Sequence, residues 1–532
     1  MSETFDYIVV GGGAAGCVVA GRLAERKAGR ILLLEAGPRP EDHPETLSAD
    51  GYKHAFVNDA LFWDRFTVPQ GAAGNQRFFV GTGRVLGGSA AVNGMVYTRG
   101  DRRDFDAWPP GWRFDDVRPD YEALEARLAP RPRPPTRWTE ACIDAATARG
   151  LRRCDDLNAG DLGGVIGYEP MTYDGDRRRN SYVAFVAEPG PFENLEIRTN
   201  ARVHRLEFGG EDGRRAVAVH YERDGRVVRA RVRGEVILAA GALETPKILM
   251  LSGVGAGQAL RFVGIEPRVE NEGVGRNLHD HPNVPLFFWS RHVVDCLYPQ
   301  IYSFRRTYAA APLPAGQPDT CFVFWPAPSA MKEAVQRMLP GKVLPPKIYH
   351  GPGKLLLRKA VGALFDTPPA ARMVDHLYGI VVILGKPRSR GSVRLAGPSA
   401  DTPAVIDPAY LSHPEDLATM VEGVRFARSL ARAGTLESWT RAELLPGPLV
   451  RDDEAIARFV EKQAITTYHF AGTCSMGTSD AHPVTPRLRL RGTHNVRIAD
   501  ASAIPETPVS ALQAPSMLVG YRAATYLLED RP

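Results

Sequence analysis

The chain has 532 residues, of which 44% are hydrophobic and 24% charged, with 66 Lys and Arg against 61 Asp and Glu for a net charge of +5. These proportions exclude a disordered or fibrous chain, and the length suffices to bury a large core and enclose a cofactor. A surplus of five positive charges spread over this length is too thin to indicate nucleic acid or an anionic membrane as a partner.

Taken in chain order, Tyr7-Ile8-Val9-Val10 is a continuous apolar run, the pattern of a parallel strand buried on both faces. No basic, cleavable leader pattern precedes it, and the longest apolar runs, such as Gly379 to Leu384, fall far short of the ~18 residues that cross a bilayer. A cytoplasmic location is therefore expected. Gly11-Gly12-Gly13-Ala14-Ala15-Gly16 follows, then Cys17-Val18-Val19-Ala20 and Leu23-Ala24 at helical spacing. A second apolar run, Ile31 to Leu34, ends in Glu35. This is strand, glycine turn, helix, strand and acid. Gly11 permits the tight turn, Gly13 a close backbone approach to a pyrophosphate, and Gly16 close helix–strand packing. The helix start at Ala14 and Ala15 offers free N–H groups to the phosphates. Glu35 can accept from ribose hydroxyls and disfavours a 2′-phosphate, so FAD or NAD suits the unit and NADP does not.

Arg84 to Asn93 is a glycine-rich turn, and Ala129 to Trp138 is a Pro- and Arg-rich connector expected to be extended and solvated. Leu195 to Arg198 and Ala201 to Leu206 read as short strands. Glu235 to Gly241 reads as another buried strand, before a helix from Pro246. From about 283 to 465, alternating aromatic and polar stretches predict a second, sheet-containing domain. Within it the Pro/Gly/Lys-rich segment Leu339 to Lys354 reads as a long surface loop or lid. Asn495 to Asp500 is a further strand, and Met517 to Leu528 a closing helix. Cysteines 17, 142, 154, 296, 321 and 474 form no CxxC pair and are expected as unpaired thiols.

Gly83-Arg84-Val85-Leu86-Gly87-Gly88-Ser89-Ala90-Ala91-Val92-Asn93-Gly94 and the stretch Gly241 to Gly255 resemble the two signatures of the glucose-methanol-choline (GMC) oxidoreductases. The first departs at Ala90, where the family has Gly, Ser or Thr. Gly273 to Pro282, Lys386-Pro387 to Val393, Tyr468-His469 to Met476-Gly477 and Val496 to Pro505 are similar to the same family, in the same order. The resemblance implies an α/β fold: a doubly wound, Rossmann-like FAD-binding domain and a substrate domain whose antiparallel sheet roofs the flavin. The expected division is 1–282 for FAD, 283–465 for substrate and 466–532 returning to the FAD domain, with substrate-side segments inserted around 140–190.

The resemblance further implies that the glycine turn and Glu35 bind the ADP half, with Val203 at the adenine edge. It places Arg84, Gly88, Asn93, Gly94, Met95 and Val96 beside pyrophosphate and flavin, and Asp500 and Ala501 at the ribityl-pyrophosphate end. Ala240, Gly241, Tyr468, His469, Ala511 and Gln513, the last at the flavin pyrimidine end, complete the expected cofactor contacts. No histidine occurs at 93–96 for covalent attachment, so the FAD is expected to be dissociable.

In the family, a histidine matching His469 takes the hydroxyl proton of an alcohol while the carbon gives hydride to flavin N5. Electrons then pass to O₂ or a quinone-type acceptor. An ordinary imidazole would place the pH dependence between about 5.5 and 8. Relatives carry a second His or Asn before the last helix, but the matching stretch Ser510-Ala511-Leu512-Gln513-Ala514-Pro515 has Ala511 there. Either another residue replaces the missing partner, with Gln513 and Glu506 the candidates, or a bulky or apolar alcohol is held by apolar contacts alone, or the chemistry is altered. His279 and His281 flank Asp280, a pair that the resemblance assigns to a structural turn, so no metal is expected. Phe322, Phe324, Trp325, Tyr378 and Tyr468 are pocket candidates, with core packing the commoner duty. Two alternatives remain. One is a non-redox lyase of the hydroxynitrile lyase type; the other is a flavin photodecarboxylase, against which His469 and Gly385 speak.

Overall fold

The computed structural model describes residues 3–530, and its first strand, Thr4–Val10, lies parallel to both Ile31–Leu34 and Arg226–Leu238. Ile8, Val9, Leu32, Leu33 and Ile237 are fully buried, which is why these strands read as unbroken apolar runs rather than alternating ones. Leu195–Arg198 extends the sheet beyond Ile31–Leu34. The strand Arg226–Leu238 divides its other edge between two partners. Its first half runs antiparallel to Arg215–Arg223, and its end runs parallel to Val496–Ile498. The helix Ala14–Glu25 packs against the closing helix Gln513–Glu529 at a glycine: a Cβ on Gly520 would sit 2.5 Å from the Ala15 carbonyl oxygen.

A second sheet runs in the order Thr440–Leu445, Pro282–Ser290, Leu377–Leu384, Thr320–Pro326, Ile301–Arg305, Val165–Tyr168, each pair antiparallel. Phe322, Phe324 and Tyr378 lie fully buried in it, as core residues. The helix Pro414–Leu430 covers the sheet, with Gly423 pressed so closely that a Cβ would meet Val382 Cγ1 at 2.5 Å. The chain leaves the first layer at Pro282–Asn283 and returns at Ile465–Thr466, and these two pairs of residues are strand partners of one another.

Two sequence expectations change. The segment 339–354 is mostly helix, within the run Met331–Val343, Pro346–Tyr349, Gly353–Phe365 and Pro368–Asp375. Pro352 and Pro368 mark helix starts, where a missing N–H costs nothing. The connector 129–138 is not solvated throughout. The Arg133 guanidinium is clamped between the rings of Tyr173 and Tyr298, at 3.8 and 3.7 Å, and Trp138 is buried. All six cysteines carry free thiols, five of them buried. Among the described residues no helix is long and apolar enough to cross a membrane.

Candidate active site

A cavity of about 540 Å³ takes its walls from both sheets. Gly11, Gly13, Ala14, Ala15 and Glu35 of the opening unit line it, together with Gly88, Asn93, Gly94 and Val96. So do Val203, Ala240 and Gly241 from the middle of the chain, and Tyr468, His469, Asp500, Ala501, Ala511 and Gln513 from its end. Three expected residues stand outside the lining. Gly16 packs under the turn, where a Cβ would lie 1.9 Å from the Gly11 carbonyl oxygen. The Arg84 guanidinium sits 5.6 Å over the Trp63 ring and donates to the Ala60 carbonyl at 3.3 Å. Met95, at φ +66°, is buried with Met171 and Tyr173.

The walls fit a dinucleotide. Gly11 has φ +98°, a conformation L side chains rarely adopt. A Cβ on Gly13 would meet nothing closer than 3.9 Å, and one on Gly94 or Gly241 nothing within 4 Å. These bare backbone stretches let a ligand come close to the start of the helix Ala14–Glu25, whose first N–H groups lack intrahelical partners. The Glu35 carboxylate accepts from the Gly12 and Gly37 N–H groups at 2.9 and 2.8 Å. Burial outweighs those two donors and raises its pKa to about 7. A ribose hydroxyl is the kind of further donor that such an acid lacks. Asp500 accepts from Gly241 N–H at 2.8 Å, Thr245 Oγ1 at 2.6 Å and Ser502 N–H at 2.8 Å, tying the strand ends beneath the cavity.

His469 stands on a loop fixed from below. Buried Asp280 accepts from the His469 N–H at 2.6 Å and from Thr466 Oγ1 at 2.5 Å, and also from the Tyr410 hydroxyl. Tyr468, one residue before, is held at φ +63°, a left-handed conformation that an aromatic residue adopts only when its surroundings impose it. The His469 ring meets His281 edge to face, with the two Nδ1 atoms 3.0 Å apart. Two nitrogens at that distance share one proton, so one ring donates and the other accepts. Nε2 of His469 is left to the cavity. Burial lowers the pKa of His469 to about 4 and that of His281 well below the ordinary value, so both rings are neutral near pH 7. His281 itself lines the cavity, and its Nε2 has no partner. The sequence placed it in a structural turn; residue 469 lies 188 positions away, and no local pattern announces their contact. His279 faces elsewhere, with Nδ1 on the Asn277 carbonyl at 2.7 Å.

Ala511 opens onto the same cavity with no polar atom on its side chain. Gln513 spends its amide on two neighbours, accepting from Asn93 Nδ2 at 2.5 Å and donating to Thr172 Oγ1 at 3.1 Å. Glu506 turns to Arg390, at 3.3 Å, and to Lys386, and is not among the lining residues. Trp325 and Tyr468 line the cavity, as do Tyr52, Phe56, Tyr302 and Cys321. One residue the sequence did not single out is Arg178. Fully buried, it donates to the Ala90 carbonyl at 3.0 Å and to the Asn93 carbonyl and side-chain oxygens at 2.6 and 2.9 Å. Burial lowers its pKa to about 9. It lies in the run Arg177-Arg178-Arg179, which reads as solvated surface; only the alternation of a hairpin would have turned the middle residue inward.

Family profiles described as GMC oxidoreductase match residues 5–283 and 387–520. An alcohol dehydrogenase [acceptor] from Pseudomonas putida is 30% identical over 98% of this chain and 96% of its own length. An oxygen-dependent choline dehydrogenase from Rhizobium rhizogenes is 29% identical over 98% of this chain and 95% of its own. Among solved structures, pyridoxine 4-oxidase from Mesorbium loti superposes with a TM-score of 0.85 at 25% identity, covering 99% of this chain and 100% of that one. A formate oxidase shares the fold with a TM-score of 0.82, covering 100% of this chain and 99% of that one. With profiles, full-length relatives and fold in agreement, the chain belongs to the GMC oxidoreductase family and is an FAD-dependent oxidoreductase.

Proposed function

We propose that this protein oxidises the CH–OH group of an apolar or bulky alcohol to a carbonyl, with His469 accepting the hydroxyl proton at Nε2. The observation that carries this reading is the neutral His469 ring in the cavity, with its Nδ1 engaged by His281. The glycine turn, Glu35, Val203, Asp500 and Ala501 would hold FAD, with Asn93, Gly94 and Gln513 toward its ring. FAD, when bound, supplies a hydride acceptor at N5 and an outlet for electrons to O₂ or a quinone-type acceptor. Residues 1–282 and 466–532 then form the cofactor unit. Residues 283–465, joined by the inserted segment around 140–190, form the substrate unit.

The chain's own residues divide the work as follows. Asp280 fixes the His469 backbone. His281 accepts a hydrogen bond from the Nδ1–H of His469, which holds that proton on Nδ1 and leaves the lone pair of Nε2 free to act as base. His281, not Gln513 or Glu506, is the group that makes up for Ala511, and it does so by orienting the base rather than by gripping the substrate oxygen. Tyr302, Trp325, Phe56 and the space above Ala511 offer an apolar wall to a large substrate.

An anaerobic panel of alcohols, read by flavin bleaching, tests the proposal. At least one bulky or apolar alcohol should bleach the flavin. His469→Ala should keep FAD but slow bleaching about 10²–10⁴-fold, the usual worth of a positioned base. If no alcohol bleaches the wild-type flavin, the reading fails and a lyase or photochemical activity takes its place.

A further inference from the structure

Residues 331–375 form a helical insert against the substrate side of the cavity. Ala330 and Ala334 line that cavity, and the Tyr468 hydroxyl meets the Met338 sulfur at 3.5 Å. The helix Gly353–Phe365 lies on top of this layer, with Gln336 Nε2 donating to the Arg358 carbonyl at 3.0 Å. Its polarity is inverted. Lys354 and Arg358 turn inward to Asp59 and Asp64, with ion pairs of 2.8–3.0 Å. The outward stripe is Leu355, Leu356, Lys359, Ala360, Ala363 and Leu364, and its three leucines are 55–66% exposed. A helix designed for water does the reverse.

The insert also gathers the protein's charge and its bare apolar surface. Of the twelve exposed large apolar side chains among the described residues, six lie between Val343 and Met373. Across 331–375 eight Lys or Arg face three Asp or Glu, and since Arg337, Lys354 and Arg358 are paired with Asp59 and Asp64, the surplus left on this part of the molecule is three. Lys342, Lys347, Lys359 and Arg372 are exposed in the same segment as the leucines. Asp366 is taken by Lys332 at 2.6 Å, which leaves Asp375 as the exposed acid of the segment without that tie.

We propose that the outer face of this insert docks on an anionic lipid bilayer, with the leucines in the interfacial layer and the cations on the headgroups. Leucines flanked by lysines on a short surface helix match the chemistry of an interfacial anchor. A second copy of this chain would set the four cations against their own equivalents, which disfavours a self-association face. Docking would set the cavity's roof against the bilayer, from which an apolar molecule could pass to the site without crossing water. The inference stands on the surface alone and does not depend on which substrate is oxidised.

The test is flotation of the FAD-loaded protein with vesicles. It should rise with an equal mixture of phosphatidylcholine and phosphatidylglycerol, and far less with phosphatidylcholine alone. Leu355→Glu/Leu356→Glu/Leu364→Glu should abolish flotation at unchanged flavin content. Lys347→Gln/Lys359→Gln/Arg372→Gln should weaken it on the order of 10²-fold, at about a factor of five per cation near an anionic leaflet. The proposal is overturned if the wild type stays down with the mixed vesicles, or if both variants float as it does. It is equally overturned if light scattering shows an oligomer that the leucine variant dissociates, since a second copy would then be the occupant.

Discussion

For His469 to act as the proposed base, its ring must be neutral at the working pH and must keep one lone pair free. His469 meets the first condition by burial, which moves its pKa from the ordinary 6.5 to about 4. The sign is plain: the accepting form is the neutral ring, so activity is lost as pH falls through that pKa and is retained above it. The acid limb of flavin reduction should therefore lie near pH 4, with a level profile from about 5.5 to 8, not the mid-range limb that an ordinary imidazole gives. Stopped-flow reduction across that range decides between them. The second condition rests on His281. His281→Ala should lower the reduction rate about 10-fold or more, by freeing the ring of His469 to turn. His281→Gln, whose amide oxygen can still accept from Nδ1, should recover part of the rate. Equal losses in both variants would show that His281 acts through packing alone.

Between single residues and the whole chain lie the turns that shape the cofactor site. Gly88 has φ +57°, and a Cβ there would come within 2.6 Å of the Gly13 Cα, so two glycine turns touch backbone to backbone. Gly88→Ala should cost about 1–3 kcal/mol through strain at a left-handed position and loosen FAD, seen as a lower flavin-to-protein ratio after gel filtration. This part of the site was legible because its demands are local: a glycine turn, an acid at a strand end and an unbroken apolar run each follow from neighbouring residues. The helix over 353–365 was not. Its apolar stripe has a normal period, and nothing in the order of residues says that Arg358 points inward to half-buried Asp59 while Leu356 faces outward. The contact of His281 with His469 was hidden for a related reason. It is made by two loops that meet only when the second sheet closes.

For the molecule as a whole, the cavity proposed for FAD is enclosed by segments from both ends of the chain, and no histidine stands at 93–96 to bond a flavin. Denaturation should therefore release FAD into the supernatant, and flavin that stays with the precipitated chain would count against this. The enclosure has a topological side. The excursion into the second sheet begins at Asn283 and ends at Ile465, two residues that are paired strand neighbours. Such a doorway lets the strands and helices between its posts vary while the frame stays shut, except where they tie back to it, as Tyr410 does to Asp280 and Gly391–Arg394 to Arg276–Leu278. The two imidazoles stand beside the posts, His281 just before one and His469 just after the other. Exchanging the excursion for that of a relative would thus alter what is recognised and leave the proton-handling pair in the recipient.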